Sequence, residues 1–150
     1  MRSDGSVLAV GDNYYGQCGV SGWHDIVKVI ATRTQTYGLR RDGTVVAAGD
    51  NSKGQCDVSK WKDIVQLSAS NYYDNYVLGL RKDGTVLMAG STSYAVFDTS
   101  GWTDIVKVAA GASAVGLRSD GTIVATGENN FGQCDVDMLN APVLAARRGT

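Results

Sequence analysis

The sequence predicts an all-β fold of tandem β-propeller blades, each a four-stranded meander, with about three full blades and partial blades at both ends. Three observations predict it. First, the chain repeats itself. Asp-Gly recurs at Asp4, Asp42, Asp83 and Asp120, Gly-Gln-Cys at Gly16, Gly54 and Gly132, and Trp-x-Asp-Ile-Val at Trp23, Trp61 and Trp102. Second, spacing inside the unit is fixed: 18 residues separate the turn glycine from the tryptophan in Gly5–Trp23, Gly43–Trp61 and Gly84–Trp102. Leu139 stands at that place in the fourth unit. Variation in length falls between the tryptophan and the next Asp-Gly, in gaps of 19, 22 and 18 residues. Third, 19 glycines, a single proline and short apolar runs suit closely spaced strands and tight turns, not helices. A period near 40 residues of this kind means a propeller or a solenoid, and solenoid coils are usually shorter.

The elements follow in order. Ile26–Ile30, Ile64–Ser68 and Ile105–Ala109 supply the first strand of each blade. Tyr37–Arg40, Val77–Arg81 and Val115–Arg118 supply the second. They run into Asp-Gly hairpin turns, whose glycine needs a positive φ. The third strands, such as Val45–Gly49, carry small or apolar residues on both faces, as a blade packed between two others requires. Gln17–Val20, Gln55–Val58 and Gln133–Val136 are expected as short outer strands. Whole blades then cover residues 25–58, 63–98 and 104–136. The chain opens on a third strand at Ser6. In the degenerate segment 137–150, Pro142–Ala146 is expected to supply the first strand of a further blade. Residues 1–150 are thus read as one repeat domain, with units beginning near Asp4, Asp42, Asp83 and Asp120.

Composition bounds the function. Lys and Arg total 14 against 15 Asp and Glu, with no basic block, so nucleic acid is not an expected partner. No apolar run reaches membrane-spanning length. Met1-Arg2-Ser3 leads straight into a turn, unlike a signal peptide, and 3 cysteines are an odd number for a disulfide framework. The expected location is cytoplasmic, unless a secretory leader has been removed.

The repeat unit resembles the regulator-of-chromosome-condensation repeat family. GLRRDGTVVAAGDN and the Gly-Gln turn after it carry the resemblance, which covers residues 1 to about 146 and is closest to compact bacterial repeats. The Gly-His and Trp-Asp pairs of the WD repeat are not at the required places. The resemblance implies a propeller and several functions: nucleotide exchange on a small GTPase, enzyme inhibition (β-lactamase inhibitor protein II has this architecture) or plain protein binding. The family's exchange factors act through an inserted β-wedge and a basic tail. This sequence has neither, so those residues are not transferred. Family rings close with about seven blades. An unclosed stack exposes apolar faces and strand edges. Two chains joined head to tail into one ring would cover them, as would a longer chain of which this is a fragment. The closed homodimer is the expectation.

Chemistry is hard to place on this pattern. The lone histidine, His24, has Lys62 and Thr103 at its repeat equivalents, which marks a solvated position. No nucleophile, phosphate-loop or zincin motif is present. Cys18, Cys56 and Cys134 occupy one repeat position on different blades, too far apart to share an ion, and Phe97 replaces them in the third repeat. Asp12-Asn13, Asp50-Asn51 and Glu128-Asn129 read as turn residues. Trp23, Trp61 and Trp102 read as core between blades, and Asp25, Asp63 and Asp104 as structural residues bonding backbone at the blade junction. No catalytic residue, metal or cofactor is expected.

In a meander the loop after the first strand and the loop after the third lie on one rim. Sequence variation falls there, and it is rich in tyrosine. The expected partner-binding residues are Tyr14, Tyr15, Arg33, Gln35, Lys53, Asn71, Tyr72, Tyr73, Asn75, Tyr94 and Phe131. Tyrosine mixed with Asn, Asp and Arg suits a contact surface. The reading is a non-enzymatic module that binds a protein through this rim. An enzyme inhibitor and a glycan-binding propeller are the alternatives.

Overall fold

The computed structural model describes residues 1–71, 75–91 and 97–148. Three antiparallel meanders lie among them. The first blade is β1 (Ile26–Ala31), β2 (Gln35–Arg40) and β3 (Val45–Gly49). The second is β4 (Ile64–Ala69), β5 (Asn75–Arg81) and β6 (Val86–Ser91). The third is β7 (Ile105–Ala110), β8 (Ser113–Arg118) and β9 (Ile123–Gly127). Each sheet keeps sequence order, so the fold is part of a β-propeller, as the repeat pattern predicts.

Local chemistry sets each blade. Asp25, Asp63 and Asp104 open the blades at φ of 57°, 58° and 59°. A short polar side chain tolerates this left-handed conformation better than most non-glycine residues. These aspartates do meet backbone, but through their own carbonyls, which accept from Arg41, Lys82 and Ser119 N–H at 2.8–2.9 Å. A register shift follows between Ile26 and Lys28, and again at Ile64/Gln66 and Ile105/Lys107. This bulge breaks the period of two: the buried isoleucine is followed by two exposed residues, Val27 and Lys28 in β1 and Val106 and Lys107 in β7.

At the hairpin turn, Gly43 N–H donates to Arg40 O and Thr44 N–H to Asp42 Oδ1, at 3.0 and 2.9 Å. Gly43 has a φ of 82°, and a Cβ there would also sit 3.1 Å from the Cα of Asp63 on the next blade. The glycine of Gly-Leu-Arg has a different cause: a Cβ at Gly79 would lie 2.6 Å from the Trp61 ring, and one at Gly116 2.9 Å from Trp102. Each tryptophan ring lies against the middle strand of its own blade, at that glycine.

Apolar layers fill the junctions. Tyr37, Leu39 and Val45 meet Trp61, Ile64 and Leu67 between the first and second blades. Leu78, Leu80 and Val86 meet Trp102, Ile105 and Val108 between the second and third. Val7 and Val20 cover Ile26 and the half-buried Trp23 at the start.

Three expectations need correction. The described blades have three strands, not four. Gln17–Val20, Gln55–Val58 and Gln133–Val136 fold as consecutive turns because their backbone groups bond locally. Gly54 N–H donates to Asn51 O, Asp57 N–H to Gly54 O and Val58 N–H to Cys56 O, while Asn51 Oδ1 takes Cys56 N–H. Those N–H groups are not free to join a ladder. Next, residues 6–10 form no strand pairing. Val7 is buried, but Leu8 and Val10 are 66% and 100% exposed. Finally, Pro142–Ala146 lies within a helix, α1 (Asp137–Arg148), not a strand. The segment is rich in the helix formers Leu, Ala and Arg, and Asp137 suits the first turn. Asn140 ties the helix to β9, its amide both accepting from Ile123 N–H and donating to Ile123 O, at 2.7 and 2.8 Å.

Candidate functional site

One rim carries a constant frame around changing residues. In the turn after each third strand, an asparagine takes the cysteine N–H: Asn13 to Cys18, Asn51 to Cys56 and Asn129 to Cys134, at 2.7–2.8 Å. The glutamine carbonyl takes the N–H two residues before it, in Tyr15, Lys53 and Phe131, at 2.8–3.0 Å. Each cysteine thiol donates to the carbonyl of Asp12, Asp50 or Glu128 at 3.3–3.4 Å. Asn, Gln and Cys are therefore spent on the turn. The two residues the frame lifts out are Tyr14-Tyr15, Ser52-Lys53 and Asn130-Phe131. Tyr14 is 84% exposed and Phe131 93%. Tyr14 and Tyr15 pack edge to face with centroids 4.9 Å apart.

The first of these turns opens beside the β1–β2 loop. Arg33 is a crossing point: its carbonyl accepts from Gln17 Nε2 at 3.3 Å and its N–H donates to Asn71 Oδ1 at 2.8 Å. Asp50 N–H donates to Thr34 O at 3.0 Å. Asp12, Tyr14, Tyr15, Arg33, Thr34, Asp50, Asn71 and Asn75 thus line one open recess of about 740 Å3. The Asp50 carboxylate is anchored by Ser52 and by Gln55 Nε2, the latter at 3.1 Å. Thr34 Oγ1 is buried without a hydrogen-bond partner. The recess sets two carboxylates, one guanidinium and two phenols around a mouth that is mainly polar.

The sequence-derived rim residues divide. Tyr14, Tyr15, Arg33, Asn71 and Asn75 come together in the recess. Lys53 and Phe131 are exposed on their turns but do not line it. Gln35 is not a contact residue. It is 1% exposed, and its amide is used internally, Oε1 by the Thr32 hydroxyl at 2.7 Å and Nε2 toward Asp50 O at 3.4 Å. Tyr72, Tyr73 and Tyr94 lie outside the described residues. Sequence reasoning missed Asp12, Thr34 and Asp50 as recess walls. The repeated Asp-Asn placed them in a turn, but nothing in the repeat marks which turn faces a neighbouring loop.

His24 Nδ1 pairs with Asp25 Oδ2 at 2.7 Å on an exposed turn. Trp61 and Trp102 are each 6% exposed. Burial is the largest cause pushing the Cys56 thiol up to about 11, with Asp50 and Asp57 adding to it.

Comparison with solved structures places the fold. Yeast RCC1 (Prp20), in its structure with Kap60, matches 83% of this chain and 40% of its own, at 19% identity and a TM-score of 0.61. The CRINKLY WD40 ectodomain of the Arabidopsis thaliana receptor kinase ACR4 matches 83% and 45%, at 18% identity and a TM-score of 0.62. Human WBSCR16 matches 78% and 41%, at 19% identity and a TM-score of 0.60. The chain spans less than half the length of each of these proteins, and what it shares with them is the propeller fold. No protein-family model matches the sequence, and no curated protein matches it significantly. No helix among the described residues is long and apolar enough to cross a membrane.

Proposed function

We propose that this chain is a non-enzymatic binding module, of the regulator-of-chromosome-condensation repeat type, that engages a protein through the tyrosine-rich rim. The observation that carries the reading is the convergence of variable segments on one recess. Turn residues Tyr14 and Tyr15 meet loop residues Arg33, Asn71 and Asn75 there, although the sequence separates them by up to 61 positions. The lifted pairs give aromatic area on a turn whose backbone is already fixed, so little entropy is lost on binding. Lys53 and Phe131, exposed on the equivalent turns, are included in this proposed surface, and Tyr72, Tyr73 and Tyr94 are its further candidates from the sequence. The similar propellers point the same way: yeast RCC1 is seen bound to Kap60, and Prp20p has binding properties to Gsp1p and histones.

A pull-down with Tyr15, Tyr73 and Phe131 together changed to Ala tests the rim. Loss of a protein that the parent chain captures is expected. Unchanged capture of every partner refutes the assignment. The polar recess beside two tyrosines favours a glycan as the second reading, and a glycan array separates sugar from protein. An enzyme-inhibiting role would appear as inhibition lost in the same triple variant.

The exposed Leu8 and Val10 on one end face, and the 36% exposed Leu117 on the other, are read as docking faces. The corresponding faces already pack on each other twice within the chain. A second copy, joined head to tail in a closed ring, is the proposed occupant. Light scattering that finds a monomer at micromolar concentration would sink it.

A further inference from the structure

The opposite rim carries a feature that the tyrosine rim does not explain. The Trp61 turn and the β5–β6 hairpin enclose a cleft of about 530 Å3 lined by Lys60, Lys62, Asp63, Arg81, Lys82 and Asp83. Four of these six residues are cationic. Asp83 is committed to its turn, its Oδ1 taking both the N–H and the hydroxyl of Thr85 at 2.9 and 2.6 Å. Among the described residues no ion pair joins a cation of this cleft to a carboxylate by direct contact, although Asp63 and Asp83 line it too.

The repeat supplies its own control. At the places of Lys60, Lys62 and Lys82 the first blade has Gly22, His24 and Arg41, and the third has Gly101, Thr103 and Ser119. The third blade makes the same bulge and the same hairpin without these charges. The fold therefore does not need lysine there, and concentrating three on the middle blade brings like charges together that Asp63 and Asp83 balance only in part.

We propose that this cleft docks an acidic protein segment, a short run of Asp or Glu whose carboxylates enter between the two turns. A carboxylate pair matches the fork of Arg81, with the lysines closing around it as mobile point charges. A nucleic-acid backbone fits less well. It asks for an extended track of cations, whereas this cleft is bounded by Asp63 and Asp83 in a chain with 14 basic and 15 acidic residues.

Fluorescence anisotropy with a labelled hexaglutamate peptide tests the proposal. Saturable binding at low salt is expected, weakening as salt is raised. The triple variant Lys60→Gln, Lys62→Gln, Lys82→Gln should bind at least about tenfold more weakly. The double variant Tyr14→Ala, Tyr15→Ala, on the other rim, should bind as the parent does, so this cleft and the tyrosine rim fail or stand separately. If the triple variant melts lower than the parent, Lys62→Thr carries the same comparison with the third blade's own residue. Absence of saturable binding, or equal binding by these lysine variants, overturns the proposal. So does tighter binding of a labelled oligothymidylate of equal charge, which assigns the cleft to nucleic acid.

Discussion

The two junctions between blades share an apolar layer but differ in how strand edges are covered. Between the second and third blades, side chains of β4 bond the outer edge of β7. Gln66 donates to Val108 O and accepts from Val108 N–H, at 3.0 and 3.2 Å. Ser68 Oγ takes Ala110 N–H at 2.9 Å, and Ser70 and Tyr76 hydroxyls donate to Gly111 O at 2.9 and 3.1 Å. Between the first and second blades, Lys28 and Ile30 stand where Gln66 and Ser68 would be. Neither supplies the same pair of bonds. That junction is tied at the rim, where Arg33 N–H meets Asn71 Oδ1 at 2.8 Å. The repeat specifies the packing, then, and individual blades add polar pins. An edge strand with its backbone groups satisfied is closed to foreign strands as well as held in register.

If the apolar layers are equivalent, their centres should cost the same to remove. Trp61→Ala and Trp102→Ala should each destabilise the chain by about 3–5 kcal/mol, since both rings are buried and lie against a glycine that cannot fill the space. Denaturant unfolding measures both. A Trp102→Ala cost far below that of Trp61→Ala would show that the polar pins, not the layer, hold the second junction.

The pins themselves distinguish the junctions at smaller magnitude. Gln66→Leu leaves the Val108 N–H and C=O without their side-chain partner and should cost about 1–3 kcal/mol. Lys28→Leu, at the equivalent place, should change stability by less than about 0.5 kcal/mol. Hydrogen exchange gives the same contrast residue by residue. The amides of Val108 and Ala110 should exchange more slowly than those of Leu67 and Ala69, their counterparts on β4. Equal protection at the four sites would remove the distinction.

This difference marks where the sequence is legible and where it is not. The strands β1 to β9, the hairpin glycines and the buried tryptophans follow from spacing and turn chemistry, because each acts within one repeat. The outer strand is not legible because the sequence reads Asn51 as a turn residue and Gln55 as the start of a strand, without showing what their side chains bond. Their side chains instead take backbone N–H groups that a ladder would need. α1 was misjudged because Leu139 at the tryptophan position suggested a decayed blade, while the Ala-rich stretch after it favoured a helix. At the recess, Tyr14, Tyr15, Arg33 and Asn71 were visible as variable residues. Gln35 was counted with them because adjacency in sequence does not reveal which side of a strand end is buried. The pins of Gln66 and Ser68 left no signal, since they reach a neighbouring blade about 42 positions away.

Alkaline pH should separate the junctions once more, with the smallest effect. At matching positions the first junction has the weak acids Tyr37 and Cys56 where the second has Leu78 and Phe97, while the second buries a phenol of its own at Tyr76. Burial pushes the Tyr37 phenol far up, with Cys56 and Asp50 adding to it, and its hydroxyl donates to Gln55 O at 3.1 Å. The Cys56 thiol is pushed up to about 11 from an ordinary 9.0. Both groups are held neutral in the folded chain but ionise in the unfolded one. Their contribution is therefore intact below about pH 8 and declines as pH rises through the unfolded values toward the folded ones. Cys56 is partly open to solvent, which limits the loss between pH 8 and 10 to about 1 kcal/mol. Other groups titrate in this range, so the informative quantity is a difference. The double variant Tyr37→Phe, Cys56→Ala should lose less stability than the parent between those pH values. A parallel decline in the two proteins would mean that the first junction opens to water before these groups ionise, and that its missing pins matter more than its buried acids.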